Sequence, residues 1–152
     1  MIRILAVGKV KDRHLEALID DYREKISRYH KIEIVEVKDE AIGKNEKDVL
    51  DTEGKRLLEK IQKDEYVILL DLHGRSTDSV SFAEKIDKLF ISHPKIAFVI
   101  GGSLGLSDEV RARADERMKL SDMTFLHGMT RLILLEQIYR AYKILNHETY
   151  HK

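Results

Sequence analysis

The sequence has 152 residues, the size of one ordinary domain, so a single domain over residues 1–152 is expected. It contains no cysteine, which excludes disulfides, thiolate zinc sites and a cysteine nucleophile and is typical of a reducing cytoplasm. The 27 lysines and arginines balance 27 aspartates and glutamates, which argues against a strong nonspecific grip on nucleic acid but leaves room for a local basic patch.

The first half of the chain predicts two strands that alternate with two helices. Ile2–Val7 is a short apolar strand, and the apolar stretch 2–10 is too short for a signal peptide or a membrane span. A cytoplasmic protein without membrane contact is therefore expected. Residues 31–38 alternate apolar and charged side chains, as a half-buried strand does. A polar segment, 39–47, predicts a mobile surface loop before the second helix. The first helix has one apolar face, formed by Leu15, Leu18, Ile19, Tyr22, Ile26 and Tyr29.

The second half continues the alternation. Residues 66–70 and 96–100 are continuous apolar runs, which is typical of central parallel strands covered on both faces. A helix is predicted from residue 108 to about 117, a short strand over 118–121 and a long helix over 130–145. The fold class is therefore α/β, with a mainly parallel sheet flanked by helices, and ligands of such sheets bind beyond the carboxyl ends of the strands.

Three loops meet at that predicted edge. The first contains Gly101, Gly102 and Gly105, and the others are the stretches DLHGR (71–75) and SDMTFLHGM (121–129). Glycines after a strand let backbone N–H groups approach a ligand. The spacing fits neither the dinucleotide fingerprint nor the P-loop, so phosphate is not indicated, and a simple turn remains the alternative.

The last helix and the end of the chain raise two further hypotheses. The predicted helix over 130–145 is apolar around most of its circumference, so we favour a homodimer interface over a central helix of a monomer. His147 to His151 matches H-E-x-x-H, a zinc protease pattern. Only Lys152 follows, and the end of a chain is a poor place for a packed catalytic helix, so no metal site is expected.

The segments ILAVGKVK, IGGSLGL, SDMTFLHGMTRLILLEQIYRAYKI and the terminal YHK together resemble the bacterial ribosomal RNA large-subunit methyltransferase H family, over the full length of the chain. This SPOUT-class family methylates N3 of a pseudouridine in 23S ribosomal RNA. One departure is Leu126, where a proline is expected. The resemblance implies a SPOUT-type α/β knot with a C-terminal trefoil knot, a homodimer, and S-adenosyl-L-methionine as the cofactor.

The resemblance also implies where the cofactor binds. The positions fall on the three loops described above: Leu70, Gly101 with its neighbours Gly102 and Gly105, and Leu120, Ser121, Asp122, Met123, Thr124 and Phe125.

Methylation of N3 requires removal of its proton, so a base or a cation that stabilises the developing anion is expected. The catalytic candidates are His127, Arg131, Arg140, Tyr150 and His151. The ordinary alternative is that both arginines lie on solvated helix faces and that His151 is a loose tail residue. Neutral net charge favours 23S rRNA within the assembled ribosome as the partner. A non-catalytic ribosome-binding or assembly factor on the same fold is the alternative function.

Overall fold

The computed structural model describes residues 1–41, 43 and 45–152. Strands and helices alternate along the chain, and the strands are five short segments of one sheet. Their bounds in chain order are β1 Ile2–Val7, α1 Arg13–Ser27, β2 Ile32–Val37, α2 Glu46–Lys60, β3 Glu65–Arg75, α3 Ser79–Ser92, β4 Lys95–Ile100, α4 Asp108–Arg113, β5 Glu116–Met118 and α5 His127–Leu145.

The strands form one parallel sheet in the order β2-β1-β4-β3-β5. Ile2 of β1 lies opposite Ile32 of β2 on one side and Ile96 of β4 on the other. All five strands therefore end at the same edge of the sheet. The prediction of an α/β fold with a mainly parallel sheet is confirmed.

Helices cover both faces of the sheet. One core contains side chains of α1, α3 and α5, among them Ile26, Ile86 and Leu134, packed against β1 and β4. The opposite core is formed by α2 and α4 on the other face, with Leu57 and Val110 buried. Among the described residues, none of the helices is both long and apolar enough to cross a membrane.

Three predicted boundaries differ from the structure. Helix α4 ends at Arg113, because Ala114 is already extended, with ψ of 140°. Strand β5 begins at Glu116, two residues before the prediction, because its pairing with β3 begins there. Helix α5 begins at His127, three residues early, in a stretch without clear hydrophobic periodicity. The predicted loop over 39–47 lies partly outside the described residues, and Asn45 caps α2 by accepting the N–H of Lys47 at 2.9 Å.

Strand β3 is unusually long, and its end crosses β5. Leu70 and Arg75 both lie opposite Met118, so the residues between them bulge out of the sheet and return. Gly74 makes this crossing possible, since a Cβ atom there would lie 2.6 Å from the backbone of Met118. The N–H of Lys119 then donates to the carbonyl of Arg75 at 3.0 Å. The crossing places two of the predicted site loops side by side. The trefoil knot itself stays a prediction.

Candidate functional site

A cavity of about 710 Å³ opens at the carboxyl ends of β3, β4 and β5, the edge at which open parallel sheets bind ligands. Three segments that are distant in sequence form its walls. We call it the strand-end cavity. Its lining residues fall within residues 70–73, 100–106 and 119–130, with Arg111 added from α4.

The glycine loop forms one wall by folding tightly on itself. The N–H of Gly105 donates to the carbonyl of Gly102 at 3.1 Å, and Gly105 has a φ of +92°. A Cβ atom on Gly101 would lie 2.5 Å from the carbonyl oxygen of Gly105, which leaves no room for a side chain. The loop therefore presents main-chain groups to the strand-end cavity, and Leu104 at its tip is 42% exposed.

The charged groups around the cavity are paired with one another. Arg111 Nε lies 3.4 Å from Asp71 Oδ2, and Asp71 Oδ1 also accepts the N–H of His73 at 3.0 Å. On the opposite wall Lys119 forms an ion pair with Asp122. Its ammonium group holds the pKa of the Asp122 carboxyl below the usual range. Neither Arg111 nor Lys119 therefore presents an uncompensated positive charge to the cavity.

The third wall contains the segment that leads into α5. Ser121 Oγ accepts the N–H of Met123 at 3.0 Å, which fixes the turn. The side chains that follow are apolar and open to solvent: Met123 is 74% exposed and Leu126 is 77% exposed. Leu126 has φ of −55° and ψ of 141°, values that a proline also adopts. Leucine in place of the expected proline therefore leaves the backbone in the same conformation.

Nine of the ten predicted cofactor positions line the strand-end cavity. The exception is Asp122, whose carboxylate is held by Lys119. His127 is the only one of the five catalytic candidates that lines it. The lining residues that sequence reasoning passed over as site candidates are Asp71, Leu72, His73, Ile100, Ser103, Leu104, Leu106, Arg111, Lys119, Leu126 and Thr130. The DLHGR stretch could have indicated Asp71, Leu72 and His73. No sequence pattern indicates Arg111, because it reaches the cavity only through the packing of α4.

Arg140, Tyr150 and His151 lie together elsewhere, around Glu136 of α5, and we call these four residues the tail cluster. Arg140 donates to Glu136 at 2.5 Å, and Tyr150 donates to the same carboxylate oxygen at 3.1 Å. The Arg140 guanidinium stands 4.8 Å from the centre of the Tyr150 ring, and His151 Nδ1 is 3.3 Å from Arg140. Burial, first, and the nearby Tyr22 and Glu136 raise the pKa of Tyr150. The end of the chain is therefore packed against α5.

Arg131 occupies a third place. It is 2% exposed, donates to Glu36 at 2.7 Å and to the carbonyl of Gly8 at 3.2 Å, and lines a smaller cavity between α1 and β2. The alternative that Arg131 lies on a solvated helix face is therefore wrong, and its catalytic role stays a prediction. A buried arginine paired in this way holds α5 to the ends of β1 and β2.

The H-E-x-x-H match has no helix to support it. Helix α5 ends at Leu145, and His147 has a left-handed φ of 55°. The carboxylate of Glu148 is instead bonded to Tyr29 and Lys143. Within the part of the chain that the structure describes, no group of three or more histidine, aspartate or glutamate side chains is placed to hold a metal.

Comparisons with known proteins show the family to which the chain belongs. A family model described as a predicted SPOUT methyltransferase matches residues 1–151. The chain is 47% identical to the ribosomal RNA large subunit methyltransferase H of Clostridioides difficile (strain 630), with 99% of each chain covered. It is 43% identical to the protein of the same name from Acetivibrio thermocellus, again over 99% of both chains.

The fold is also found among solved structures. A probable methylase family protein from Haemophilus influenzae Rd KW20 superimposes with a TM-score of 0.52 at 16% identity, covering 99% of this chain and 70% of that one. That likeness shows the fold alone.

The family match and the full-length identities show the class of enzyme as well as the fold. The molecule is an enzyme of the methyltransferase class, with the strand-end cavity at the edge where such a sheet binds ligands. The chain belongs to the SPOUT methyltransferases and, within them, to the ribosomal RNA large subunit methyltransferase H family.

Proposed function

We propose that this protein transfers a methyl group from S-adenosyl-L-methionine to N3 of a pseudouridine in 23S ribosomal RNA, in the cytoplasm and on the assembled ribosome. The observation that carries the proposal is the strand-end cavity, which brings the three predicted cofactor loops together at one sheet edge. The relatives named ribosomal RNA large subunit methyltransferase H support the choice of substrate.

The residues of the cavity suit this donor. A volume of about 710 Å³ lies within the range of cavities that hold molecules of this size. Leu72, Leu104, Met123 and Phe125 offer apolar walls for a purine, and the main chain of the glycine loop and Thr124 offer polar groups. The pairing of Arg111 with Asp71 and of Lys119 with Asp122 suits a donor that carries no phosphate.

The donor supplies a methyl group that its sulfonium already activates. The protein then has to orient the base, exclude water and assist removal of the N3 proton. His127 stands at the start of α5 and is the one catalytic candidate among the described lining residues, so it is the candidate for assisting a base held there. Arg140 and Tyr150 provide a cation and a ring, the groups with which proteins grip splayed-out RNA bases.

The cavity and the tail cluster are separated within one chain. Arg140 follows His127 by thirteen positions in α5, which is roughly 20 Å along the helix axis. We therefore propose a homodimer in which two α5 helices pack about a twofold axis, so that the tail cluster of one protomer faces the strand-end cavity of its partner. The apolar side chains exposed around the cavity support this arrangement: Leu72, Leu104, Met123, Phe125, Leu126 and Met129.

The zero net charge supports a substrate that is already folded and assembled. With no large basic surface excess, naked RNA would be held weakly, and shape must supply recognition.

The test is incubation of the purified protein with labelled S-adenosyl-L-methionine and ribosomes from a strain that lacks the enzyme, with naked 23S RNA in parallel. We expect label on one pseudouridine of the ribosomal RNA, little on the naked RNA, and no effect of a zinc-selective chelator that leaves magnesium in place. Absence of donor binding in calorimetry, with ribosome binding retained, would instead support a non-catalytic assembly factor.

A further inference from the structure

Glu53 is a buried acidic residue that the proposed reaction has not used. It lies on the face of α2 that packs against the sheet, beside Val49 and Leu57, and is only 5% exposed. Glutamate is rarely this buried unless a partner satisfies its charge. Its surroundings therefore indicate what it does.

The carboxylate of Glu53 is only half satisfied. Its Oε2 accepts the N–H of Glu40 at 3.0 Å, whereas Oε1 has no hydrogen-bond partner in the described part of the chain. The neighbouring guanidinium of Arg56 binds the carboxylate of Glu40 and the carbonyl of Lys38. Burial, with the neighbouring carboxylate of Asp39, raises the pKa of Glu53. Among the described residues, no cation is bonded to this carboxylate.

The unsatisfied oxygen lies directly behind the glycine loop. A Cβ atom on Gly102 would stand 2.9 Å from Glu53 Oε1, so the Gly102 backbone lies between this carboxylate and the strand-end cavity. The next residue, Gly54, fixes the position of Glu53. It packs so closely on Ser107 that a Cβ atom on Gly54 would stand 2.3 Å from the Ser107 hydroxyl oxygen. Ser107 in turn caps α4. Helix α2 therefore holds the charge in register with the loop.

We propose that the carboxylate of Glu53 attracts the positive sulfonium of the methyl donor through the glycine loop. This attraction raises the affinity of the cavity for the sulfonium donor relative to the thioether product. The proposal rests on the proposed function, since it requires the donor in the strand-end cavity. A charge acts through one layer of backbone because the interior screens it weakly. The donor carries a positive sulfonium that the product has lost, so a fixed negative charge favours the first over the second. Glu53 is thus a specificity-determining residue that touches neither ligand, and it promotes exchange of product for donor.

The experiment is calorimetry with S-adenosyl-L-methionine and S-adenosylhomocysteine on the full-length wild type, Glu53→Gln, and the control Glu59→Gln. Glutamine keeps an oxygen for the N–H of Glu40 and removes only the charge, while Glu59 is exposed on the same helix. We expect the ratio of product Kd to donor Kd to fall about five- to tenfold in Glu53→Gln, with product affinity nearly unchanged. Glu59→Gln should keep the wild-type ratio.

Thermal unfolding without ligand separates this role from a structural one. Removal of a half-satisfied buried charge should leave the melting temperature of Glu53→Gln unchanged or higher, whereas Glu53→Met, which also removes the acceptor of the Glu40 N–H, should still fold but melt at a lower temperature. An unchanged ratio in Glu53→Gln, or failure of both variants to fold, would overturn the inference. Failure of the wild type to bind either ligand would overturn the proposed function instead.

Discussion

Gly101 connects the conformation of a single residue to the shape of the binding site. The carbonyl of Gly105 folds back towards it in a turn closed by the Gly105 to Gly102 hydrogen bond. The absence of a side chain therefore serves two needs at one position: it lets the turn close, and it leaves main chain as the wall of the strand-end cavity. Neither need involves a phosphate.

At this scale we predict that Gly101→Ala weakens donor binding. The new methyl group would meet backbone atoms of Gly105 at 2.5 and 2.8 Å, so the loop must shift and the wall changes shape. We expect a loss of affinity for S-adenosyl-L-methionine of at least about tenfold, or about 1.4 kcal/mol, measured by calorimetry. Ser92→Ala, at the exposed end of α3 and outside the cavity lining, is the control and should bind as the wild type does. Equal binding by both variants would contradict this account of the loop.

The tail that follows α5 behaves as a docked element. Glu148 is its main anchor, because its carboxylate accepts hydrogen bonds from Lys143 at 2.5 Å and from the Tyr29 hydroxyl at 2.9 Å. Its backbone N–H also donates to the carbonyl of Lys143 at 2.9 Å. These bonds tie the residues after α5 to α5 and to the segment that follows α1, and so position Tyr150 on Arg140.

The docking should depend on pH. Lys143, first, and then Tyr29 lower the pKa of Glu148 below its ordinary value of 4.5. A carboxyl whose folded pKa is lowered stabilises the docked state above the ordinary pKa and loses that contribution as the pH falls through the folded value. We expect the NMR signals of the Tyr29 and Tyr150 rings to shift together, below pH 4.5, towards those of an undocked tail.

Glu148→Gln provides the control for that titration, because it cannot ionise. Its tyrosine signals should resemble the acid form of the wild type at neutral pH and should not titrate in this range. The same titration in Glu148→Gln as in the wild type would show that another group controls the tail.

The elements also show how far sequence reasoning extends. Strands β1 and β4 and helix α1 could be predicted because their hydrophobic patterns are local. Strand β5 has only three residues, and its bounds depend on pairing with β3, which no local pattern records. The burial of Arg131 depends on Glu36, a partner 95 residues away. The three site loops were predictable because parallel strands end at a common edge.

At the scale of the whole molecule, the separation between the cavity and the tail cluster decides how an active site is completed. His127 lies in the cavity, while Arg140 and Tyr150 are about 20 Å farther along a rigid helix. A bend in α5 large enough to bring them together would expose Leu134 and Leu135, which are fully buried. The proposed homodimer requires no such change, because a second copy related by a twofold axis would bring the two parts together.

This reasoning predicts that two weakly active variants restore activity when mixed. Gly101→Ala weakens the donor site, and deletion of residues 150–152 removes the tail, so each homodimer should have little activity on ribosomes at a limiting donor concentration. A mixed dimer retains one site with an intact cavity and an intact tail, so equal mixing should recover about a quarter of wild-type activity per chain.

Light scattering must show dimers, and mass spectrometry of differently tagged chains must show that subunits exchanged. If exchanged dimers stay weakly active, or if the tail deletion alone is fully active, the tail does not complete the partner's site. Donor binding by the tail deletion should remain normal in either case, because its own strand-end cavity contains no residue beyond Thr130.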